Sequence, residues 1–351
     1  MSNSLGEHFR ITTFGESHGP ALGVVVDGVT PGLKISVKEI QDQLDRRKPG
    51  QKLTSPRKES DRVEVLSGIF EGKTTGMPIA LLIRNKDAHS KSYDHLKDLF
   101  RPGHADFTYL KKYGIRDHRG GGRQSARETA NWVAAGAIAR KIIAQHKIRI
   151  VASVVEIAGV HATVYDPKEI SKNAVNCGDK KAAENMVAAI EKARKEGDSV
   201  GGIIEVVAEN VPIGLGEPVF DKLDANLAKA LMSINAAKGV EIGSGFEGAR
   251  MRGSEHNDLF VKKGGRVVTK TNHAGGILGG ISNGMPLVAR VAFKPTSSIT
   301  QEQNTVTVAG KKAKVRVFGR HDPCVAIRAV PIVEAMMANV LADALLSQNA
   351  N

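Results

Sequence analysis

Residues 120–143 read GGGRQSARETANWVAAGAIARKII, a run of glycines and arginines that leads directly into an apolar helix. Ser125 and Glu128 have the spacing of a capping box, in which a hydroxyl accepts from a backbone amide and a carboxylate reaches back to the start of the motif. The pattern predicts a helix from Ser125 to about Ile143. The apolar run that follows at 150–155, IVASVV, predicts a buried strand.

Strand and helix patterns alternate along the rest of the chain. Short apolar runs predict strands at 21–27, 79–83, 203–208, 267–270 and 286–294. One helix is predicted at 182–195. Two more are predicted to begin at Pro218 and at Pro331, because proline is favoured at the first helical position. This alternation indicates an α/β or α+β fold class. No linker composition divides residues 1–351, so we predict one domain with a polar, peripheral insertion at about 165–200.

The charge of the chain favours an anionic ligand. Fifty lysines and arginines against 37 acidic residues give a net charge of +13. Such an excess indicates either a nucleic-acid surface or a pocket for an anion. Nucleic-acid binders often expose aromatic side chains for stacking, but aromatics are only 4% of this chain, and no helix-turn-helix, zinc-finger or RNA-recognition pattern occurs. We therefore favour an anionic pocket and expect no nucleic-acid partner.

The cysteines and the apolar runs predict a compartment. Cys177 and Cys324 lie far apart without a CxxC spacing, which indicates neither a disulfide framework nor a zinc site, and we expect no metal. The first residues lack the apolar core of a signal peptide. No run approaches the roughly 20 apolar residues of a membrane helix. These features predict a cytoplasmic protein without a membrane segment.

Three short motifs contain candidate proton-transfer groups. His18 lies between glycines in GESHG, where an exposed imidazole titrates near neutrality. His104 follows a Pro-Gly turn in RPGHAD, where Asp106 could orient its ring. Asp322 stands beside arginine and histidine in GRHDPC, a setting that keeps a carboxylate ionised. The alternatives are a loop histidine, a satisfied buried histidine and a surface ion pair.

Two segments offer groups that bind phosphate. The glycines at 120–122 and the helix start at Ser125 supply backbone amides and a positive helix end, and Arg123 and Arg127 add planar donors. The stretch KPTSS at 294–298 places one ammonium and three hydroxyls after a strand. A glycine hinge and an ordinary turn are the alternatives. The first segment lacks GxGxxG and Walker-lysine spacing, so it is not a standard nucleotide loop.

Taken together, the motifs resemble those of the chorismate synthase family, in its bacterial, monofunctional type. They stand in family order over nearly the whole chain: GESHG at 15–19, RPGHAD at 101–106, GGGRxSARET at 120–129, SINAxKGVEIG at 233–243, NHAGGILGGIS at 272–282, KPTSSI at 294–299 and GRHDPC…RAVPI at 319–332. The resemblance implies a β-α-β sandwich of α/β (α+β) class with antiparallel sheets, which is not a Rossmann fold. It also implies a homotetramer.

The resemblance implies a reaction as well. A carbon–oxygen lyase of this family eliminates phosphate and the C6 proton of 5-enolpyruvylshikimate 3-phosphate in an anti-1,4 sense to give chorismate, the last common step of the shikimate pathway. Reduced FMN is required without net redox change. NADPH enters only indirectly, as the source of flavin reduction, so an external flavin reductase is an expected partner.

Residue roles follow from the same resemblance. His18 is implied to protonate the leaving phosphate, His104 to protonate the reduced flavin, and Asp322, with flavin N5, to remove the C6 proton. The implied substrate-binding residues are Arg46, Arg47, Lys52, Arg101, Arg127 and Arg320. The implied FMN-binding residues are Arg123, Gln124, Ser125, Asn235, Ala236, Gly279, Lys294, Pro295, Thr296, Ser297, Ser298 and Arg320.

The basic loop at 46–61 departs from the family pattern. Lys48 and Lys52 stand where many relatives have arginine, and lysine keeps the charge but loses the bidentate fork. Two other functions are compatible with the residues alone. A flavin-dependent oxidoreductase would consume one reductant per turnover, and a basic nucleic-acid-binding module would bind polynucleotides in a salt-sensitive way.

Overall fold

A computed structural model describes residues 3–57, 59–86, 90–318 and 321–350. Up to residue 113 its strands and helices are β1 Ser4–Leu5, β2 Arg10–Gly15, β3 Ala21–Asp27, α1 Val37–Arg47, β4 Val63–Val65, β5 Ile69–Phe70, β6 Lys73–Thr74, β7 Ile79–Arg84 and α2 Asp106–Tyr113. The remaining elements are α3 Thr129–Gln145, β8 Arg149–Ile157, β9 Val160–His161, α4 Pro167–Ile170, α5 Lys180–Lys195, β10 Gly202–Glu209, α6 Leu223–Met232, β11 Ala237–Ile242, α7 Gly253–His256, β12 Phe260–Lys263, β13 Arg266–Thr269, β14 Ile277–Leu278, β15 Ile281–Ser282, β16 Leu287–Phe293, β17 Gln303–Val306, β18 Lys312–Val315 and α8 Ala326–Ala350.

Two five-stranded antiparallel sheets form the outer layers of the core. The strand order is β1-β2-β3-β7-β4 in the first sheet and β11-β16-β10-β8-β9 in the second. Along β16, buried residues alternate with partly exposed ones, so one face of this sheet packs on the core. This alternation is typical of an antiparallel sheet that is covered on one side.

Helices fill the space between the sheets. Helix α3 packs against β3 and β7, α8 packs against β8 and β10, and the two helices pack against each other. A Cβ on Gly136 would lie 2.5 Å from the Cβ of Ala335, so glycine permits this close helix crossing. Buried apolar residues of both sheets and of the helices form one cluster. The predicted β-α-β sandwich of α+β class is therefore confirmed, and the antiparallel strands exclude a Rossmann sheet.

Helix α8 differs from its prediction at its start. It begins at Ala326, so the prediction of a start at Pro331 is wrong. Proline has no amide hydrogen for the Ile327 carbonyl four residues earlier. The Asn176 side chain donates to that carbonyl instead, at 3.4 Å.

Helix α8 is also long and apolar enough to cross a membrane by length and composition, so the expectation that no run approaches that size is wrong. However, 83% of its most apolar window is buried inside the protein, as befits a core helix.

Two further helices begin at other residues than the sequence predicted. Helix α6 begins at Leu223 and not at Pro218, because the Leu223 amide donates to the Gly280 carbonyl at 2.8 Å and fixes the chain there. At the predicted capping box, Ser125 Oγ accepts from the Arg127 amide, but the residues that follow form a 3₁₀ turn and α3 begins at Thr129.

The carboxylate arm of that capping box is absent because Glu128 has other partners. Glu128 is buried, and its carboxylate lies 2.6 Å from Arg123 and accepts from Asn131 at 3.0 Å. A buried carboxylate requires such partners.

In the predicted insertion at 165–200, Met186 and Ile190 of α5 are buried and α5 packs on β8 and β9. The division into one domain with a peripheral insertion stays a prediction.

Candidate active site

A cavity of about 560 Å³ lies where α1 and β16 end and where α3 and α8 begin. Its volume is in the usual range of small-molecule sites. The N-terminal ends of α3 and α8 contribute positive helix-dipole ends to its wall. Segments that are more than 250 residues apart in sequence thus meet at one place.

Most of the predicted site residues line this cavity. They are Arg47, Arg101, His104, Gln124, Ser125, Arg127, Asn235, Ala236, Lys294, Pro295, Thr296, Ser297, Ser298 and Asp322. Their roles stay predictions, but their convergence is a feature of the structure.

Two predicted arginines turn away from the cavity. Arg123 donates to the Thr13 carbonyl at 2.7 Å and pairs with Glu128, which ties the turn before α3 to the first sheet. Arg46 pairs with the buried Glu334 at 2.6 Å, together with Arg140. In both cases a buried carboxylate holds the guanidinium, which explains why the side chain does not line the cavity.

Two other predicted contacts also lie away from the cavity. Lys52 is exposed and does not line the cavity. Gly279 lies in the exposed turn between β14 and β15. Arg320 falls outside the described residues.

Asp106 organises the His104 side of the cavity. Its carboxylate is 1% exposed and accepts from Arg101 Nε at 2.7 Å and from Arg101 Nη2 at 2.8 Å. Arg116 Nη1 lies 3.1 Å and His104 Nδ1 lies 3.0 Å from Asp106 Oδ1. Burial alone would raise the pKa of Asp106, but hydrogen bonds from Arg101 and His104 hold that pKa well below its ordinary value. His104 Nδ1 thus lies beside the Asp106 carboxylate, and the orienting role of Asp106 stays a prediction.

His104 is a partly buried imidazole in the cavity wall. Burial lowers its pKa below 6.5, while the contact with Asp106 opposes that shift. An ionised carboxylate beside Nδ1 favours the tautomer in which Nδ1 carries the hydrogen. Nε2 is then the nitrogen available for proton exchange. A Cβ on Gly121 would lie 3.5 Å from Nε2, so this glycine backbone passes close to the ring.

Asp322 joins the loop after α1 to the start of α8. The Ser55 amide donates to Oδ1 at 2.6 Å, and Arg328 Nη1 donates to Oδ2 at 2.7 Å. Arg328 Nε also donates to the Arg47 carbonyl at 3.1 Å. Each carboxylate oxygen can accept more than one hydrogen bond, so Asp322 is held in place and can accept a further hydrogen bond from a ligand.

Two arginines of the cavity wall share one buried carboxylate. Asp61 is fully buried, Arg47 Nη2 lies 3.2 Å from its Oδ2, and Arg127 Nη1 pairs with its Oδ1. Burial lowers the pKa of Arg47 to about 9, against the field of Asp61, so its guanidinium stays charged at neutral pH. Two cations on one anion leave a net positive charge in the wall.

His18 lies directly behind the cavity wall. It is 9% exposed, so the prediction of an exposed imidazole is wrong. Its ring meets the Tyr93 ring edge-on at 5.2 Å. A Cβ on Gly120 would lie 2.1 Å from His18 Cε1, so only glycine fits there. Ser17 Oγ lies 3.0 Å from His18 Nδ1. Burial, and then the charge of Arg57, lower the pKa of His18 to about 4.

Several polar lining residues escaped the sequence analysis. Arg57 lies in the basic segment that was predicted only as a loop, and His321 precedes Asp322 in GRHDPC, so these two had a local signal. Burial lowers the pKa of His321 to about 4, and Arg57 adds to that shift. Ser55 and Glu59 lie in the same basic segment, Lys238 in SINAxKGVEIG and Arg328 in RAVPI, but no role was predicted for them. Tyr93 lies outside every motif quoted above.

Positive charge dominates the cavity wall. In the described part of the chain, two carboxylates line it, Glu59 and Asp322. The described cationic side chains that line it are Arg47, Arg57, Arg101, Arg127, Lys238, Lys294 and Arg328. This excess fits a ligand with several anionic groups.

The same wall fits a planar cofactor that carries a phosphate. Apolar surface comes from Ile234, Ala236, Val325, Ala329 and Ile332. In the 294–298 segment, Lys294 Nζ donates to the Gly103 carbonyl at 2.6 Å and Thr296 Oγ1 to the Asp322 carbonyl at 2.7 Å, which ties this segment to two other parts of the wall. Among the described residues, Gln124 Oε1 and Asn235 Oδ1 are buried without a hydrogen-bond partner. Such acceptors suit the ring N–H groups of a flavin.

Comparisons with known proteins agree with this geometry. The chorismate synthase family model matches residues 9–346. The chain is 56% identical to a chorismate synthase of Methanosarcina mazei, over 98% of this chain and 96% of that protein. It is 55% identical to one of Synechocystis sp., over 99% and 98%.

A structural neighbour carries the same family name. The crystal structure of a chorismate synthase has a TM-score of 0.79 and 34% identity, and the match covers 98% of this chain and 93% of that one. Sequence, fold and cavity therefore agree with the resemblance found in the motifs, and the chain belongs to the chorismate synthase family of lyases.

Proposed function

We propose that this chain binds 5-enolpyruvylshikimate 3-phosphate beside reduced FMN and eliminates phosphate and the C6 proton to give chorismate. The observation that carries this proposal is the cavity of about 560 Å³, in which the described lining residues include seven cationic side chains and two carboxylates. The substrate has a phosphate and two carboxylates, and FMN adds a second phosphate. A site for both ligands needs such a positive field.

The arginines are held ready for these anions. Arg101 is fixed by Asp106, and Arg47 and Arg127 are fixed by Asp61. A guanidinium that is already ordered loses little conformational entropy when an anion binds. These three side chains would therefore orient the substrate at a small entropic cost.

Three groups would move the protons. His18 would protonate the leaving phosphate, and a dianion beside its ring would favour its charged form. His104 would hold and deliver a proton at Nε2, because Asp106 occupies Nδ1. Asp322, held by Ser55 and Arg328, would take the C6 proton.

The cofactor would lie against the apolar part of the wall. Gln124, Ser125, Asn235, Ala236 and residues 294–298 would hold its ring system and phosphate. The chemistry that reduced FMN supplies when bound is transient donation of an electron, which leaves the overall reaction redox-neutral. NADPH would act only through an external flavin reductase.

The proposal extends to assembly and location. Exposed apolar side chains support self-association: Phe220 is 91%, Phe246 71% and Phe260 67% exposed. Apolar surface of this kind marks interaction sites when it is contiguous. We propose a cytoplasmic homotetramer, which sedimentation at several protein concentrations would test. A monomer at all concentrations would refute it.

The reaction is tested by anaerobic turnover with 5-enolpyruvylshikimate 3-phosphate and dithionite-reduced FMN. Chorismate absorbance and released phosphate are followed together. One phosphate per chorismate, many turnovers per flavin and no net flavin oxidation are expected. Consumption of one reductant per turnover would indicate a flavin oxidoreductase, and salt-sensitive polynucleotide binding without flavin binding would indicate the nucleic-acid function.

A matched pair of variants tests the base. Asp322→Asn keeps the shape and should lower turnover about 10²- to 10⁴-fold, with FMN affinity retained. Asp42→Asn alters a carboxylate whose side chain is 51% exposed and pairs only with exposed Lys38 among the described side chains, so it should leave turnover unchanged. Equal turnover in the two variants would remove Asp322 from the mechanism.

A further inference from the structure

Arg57 lines the cavity but has no role in the reaction proposed above. Its Nη2 donates to the Tyr93 hydroxyl at 2.9 Å. Its Nε is a buried donor that has no hydrogen-bond partner in the described part of the chain. A buried donor without an acceptor is costly, so an anion in the cavity would satisfy a group that the protein itself leaves unsatisfied.

Arg47 Nε and Arg127 Nη2 are also buried without a hydrogen-bond partner, but the other arginines of the wall differ from Arg57 because each of them pairs with a carboxylate. Arg47 and Arg127 pair with Asp61, Arg101 pairs with Asp106, and Arg328 pairs with Asp322. Within residues 3–57, 59–86, 90–318 and 321–350, no such ion pair of Arg57 is seen. A neutral phenol holds its guanidinium, and its full charge is therefore available to a ligand.

Arg57 is also close to the candidate acid. Tyr93, which accepts from Arg57, meets the His18 ring edge-on at 5.2 Å. Among the described residues, the charges that act on the His18 ring are those of Arg57, Asp117 and Arg119. Arg119 is neutralised by Asp117, whose Oδ1 accepts from its Nε at 2.9 Å. Arg57 is therefore the cation near His18 whose charge an anionic ligand in the cavity would neutralise.

We propose that Arg57, held by the Tyr93 hydroxyl, is a further substrate-binding residue that pairs with an anionic group of the substrate on the His18 side of the cavity. The inference rests on the proposed function. Its consequence concerns His18, because a neighbouring cation disfavours an imidazolium and neutralising that cation favours it. Substrate binding would thus charge the acid that the elimination needs, and the acid would stay neutral until then.

Two arginine-to-glutamine variants test this inference. Affinity for 5-enolpyruvylshikimate 3-phosphate is measured by calorimetry with oxidised FMN present, and the pKa of His18 by NMR titration of the ligand-free protein. Arg57→Gln should weaken substrate binding about 10- to 100-fold and raise the pKa of His18. Arg119→Gln removes a cation that also lowers the pKa of His18 but does not line the cavity. It should leave affinity within about twofold.

The outcomes separate the inference from the proposed function. If wild type forms chorismate but Arg57→Gln binds substrate as wild type does, the inference fails and the function stands. If wild type forms no chorismate but Arg57→Gln has lost affinity, the function fails and Arg57 stands as an anion-binding residue. If Arg57→Gln does not fold, the Nε–H signal of Arg57 in wild type is followed with inorganic phosphate. A shift supports the inference, and an unchanged signal overturns it.

Discussion

Asp106 should be among the most costly carboxylates to neutralise in this chain. The Arg101 side chain, which is 1% exposed, donates two hydrogen bonds to it. Arg116 lies 3.1 Å from the same carboxylate and is 7% exposed. Asp106→Asn keeps the shape of the side chain but leaves both guanidiniums buried without their counter-charge. Removing one partner of a buried ion pair costs about 3–5 kcal/mol.

This loss is large compared with the stability of a typical domain, about 5–15 kcal/mol. Urea denaturation of wild type and Asp106→Asn at equal protein concentration should show it as a lower free energy of unfolding near pH 7. Asp42→Asn is the control, because its ion pair with Lys38 is exposed and its loss should leave the urea midpoint nearly unchanged. A loss below about 1 kcal/mol for Asp106→Asn would refute the view that this carboxylate holds the charged wall together.

The contribution of the Asp106 ion pairs to stability depends on pH in a defined direction. The pKa of Asp106 in the folded protein lies below its ordinary value of 3.8. Its contribution to stability is therefore complete at pH values above 3.8 and is lost as the pH falls through the folded pKa. The stability difference between wild type and Asp106→Asn should be constant near neutrality and shrink in acid. A difference that grows below pH 4 would contradict the sign of this argument.

Three further predictions follow from the site. His104→Ala should fold, since its side chain is 19% exposed, but should lose most chorismate formation, and unchanged turnover would remove His104 from the mechanism. Gly32→Ala should lower the free energy of unfolding in urea by about 1–2 kcal/mol, because Gly32 has a left-handed backbone and its Cβ would meet no atom within 4 Å. Gly120→Ala should lower it further, because its Cβ would lie 2.1 Å from His18. Equal losses would contradict this placement of His18. Wild-type thermal stability should fall from pH 6.5 toward pH 4, because the pKa values of His18 and His321 are lowered from 6.5 to about 4 and the unfolded chain takes up protons first. His321→Gln should show a smaller fall, and an equal one would contradict the prediction.

The strands were the most predictable part of the fold. The run at 21–27 is β3 with the predicted bounds, and the runs at 150–155 and 203–208 lie within β8 and β10. A short run of apolar side chains is most readily buried as a strand of a sheet, so hydrophobicity is a sufficient signal. Strand order was beyond reach, because the pairing of β10 with β16 joins segments about 80 residues apart.

Helix starts were less predictable than strands. Proline at Pro218 and Pro331 is compatible with a first helical turn but does not require one, and tertiary hydrogen bonds at Leu223 and Ile327 decided the outcome. Helices α1 and α2 were not predicted. The buried face of α1 consists of Ile40, Leu44 and Arg47, and a charged residue on an apolar face hides the helical period.

Sequence motifs predicted residues of the site, but they did not predict the contacts that hold those residues. GRHDPC indicated Asp322, but nothing in its spacing indicated that the Ser55 amide and Arg328 would hold it. Likewise the basic loop indicated charge near Arg57 and could not indicate which of its cations would lack a carboxylate. Such facts depend on long-range packing, which a local pattern does not encode.

The distribution of partners explains how a positive cavity can also be a rigid one. Arg47 and Arg127 share Asp61, while Arg101 and Arg116 share Asp106. Each carboxylate fixes two guanidiniums and cancels one of their charges, so each cluster keeps about one positive charge in a fixed position. Fixed charges that need no rearrangement when an anion arrives stabilise it more than mobile surface lysines can. The net charge of +13 is therefore a poor guide to the site. The ratio of arginines to buried carboxylates is the quantity that sets its field.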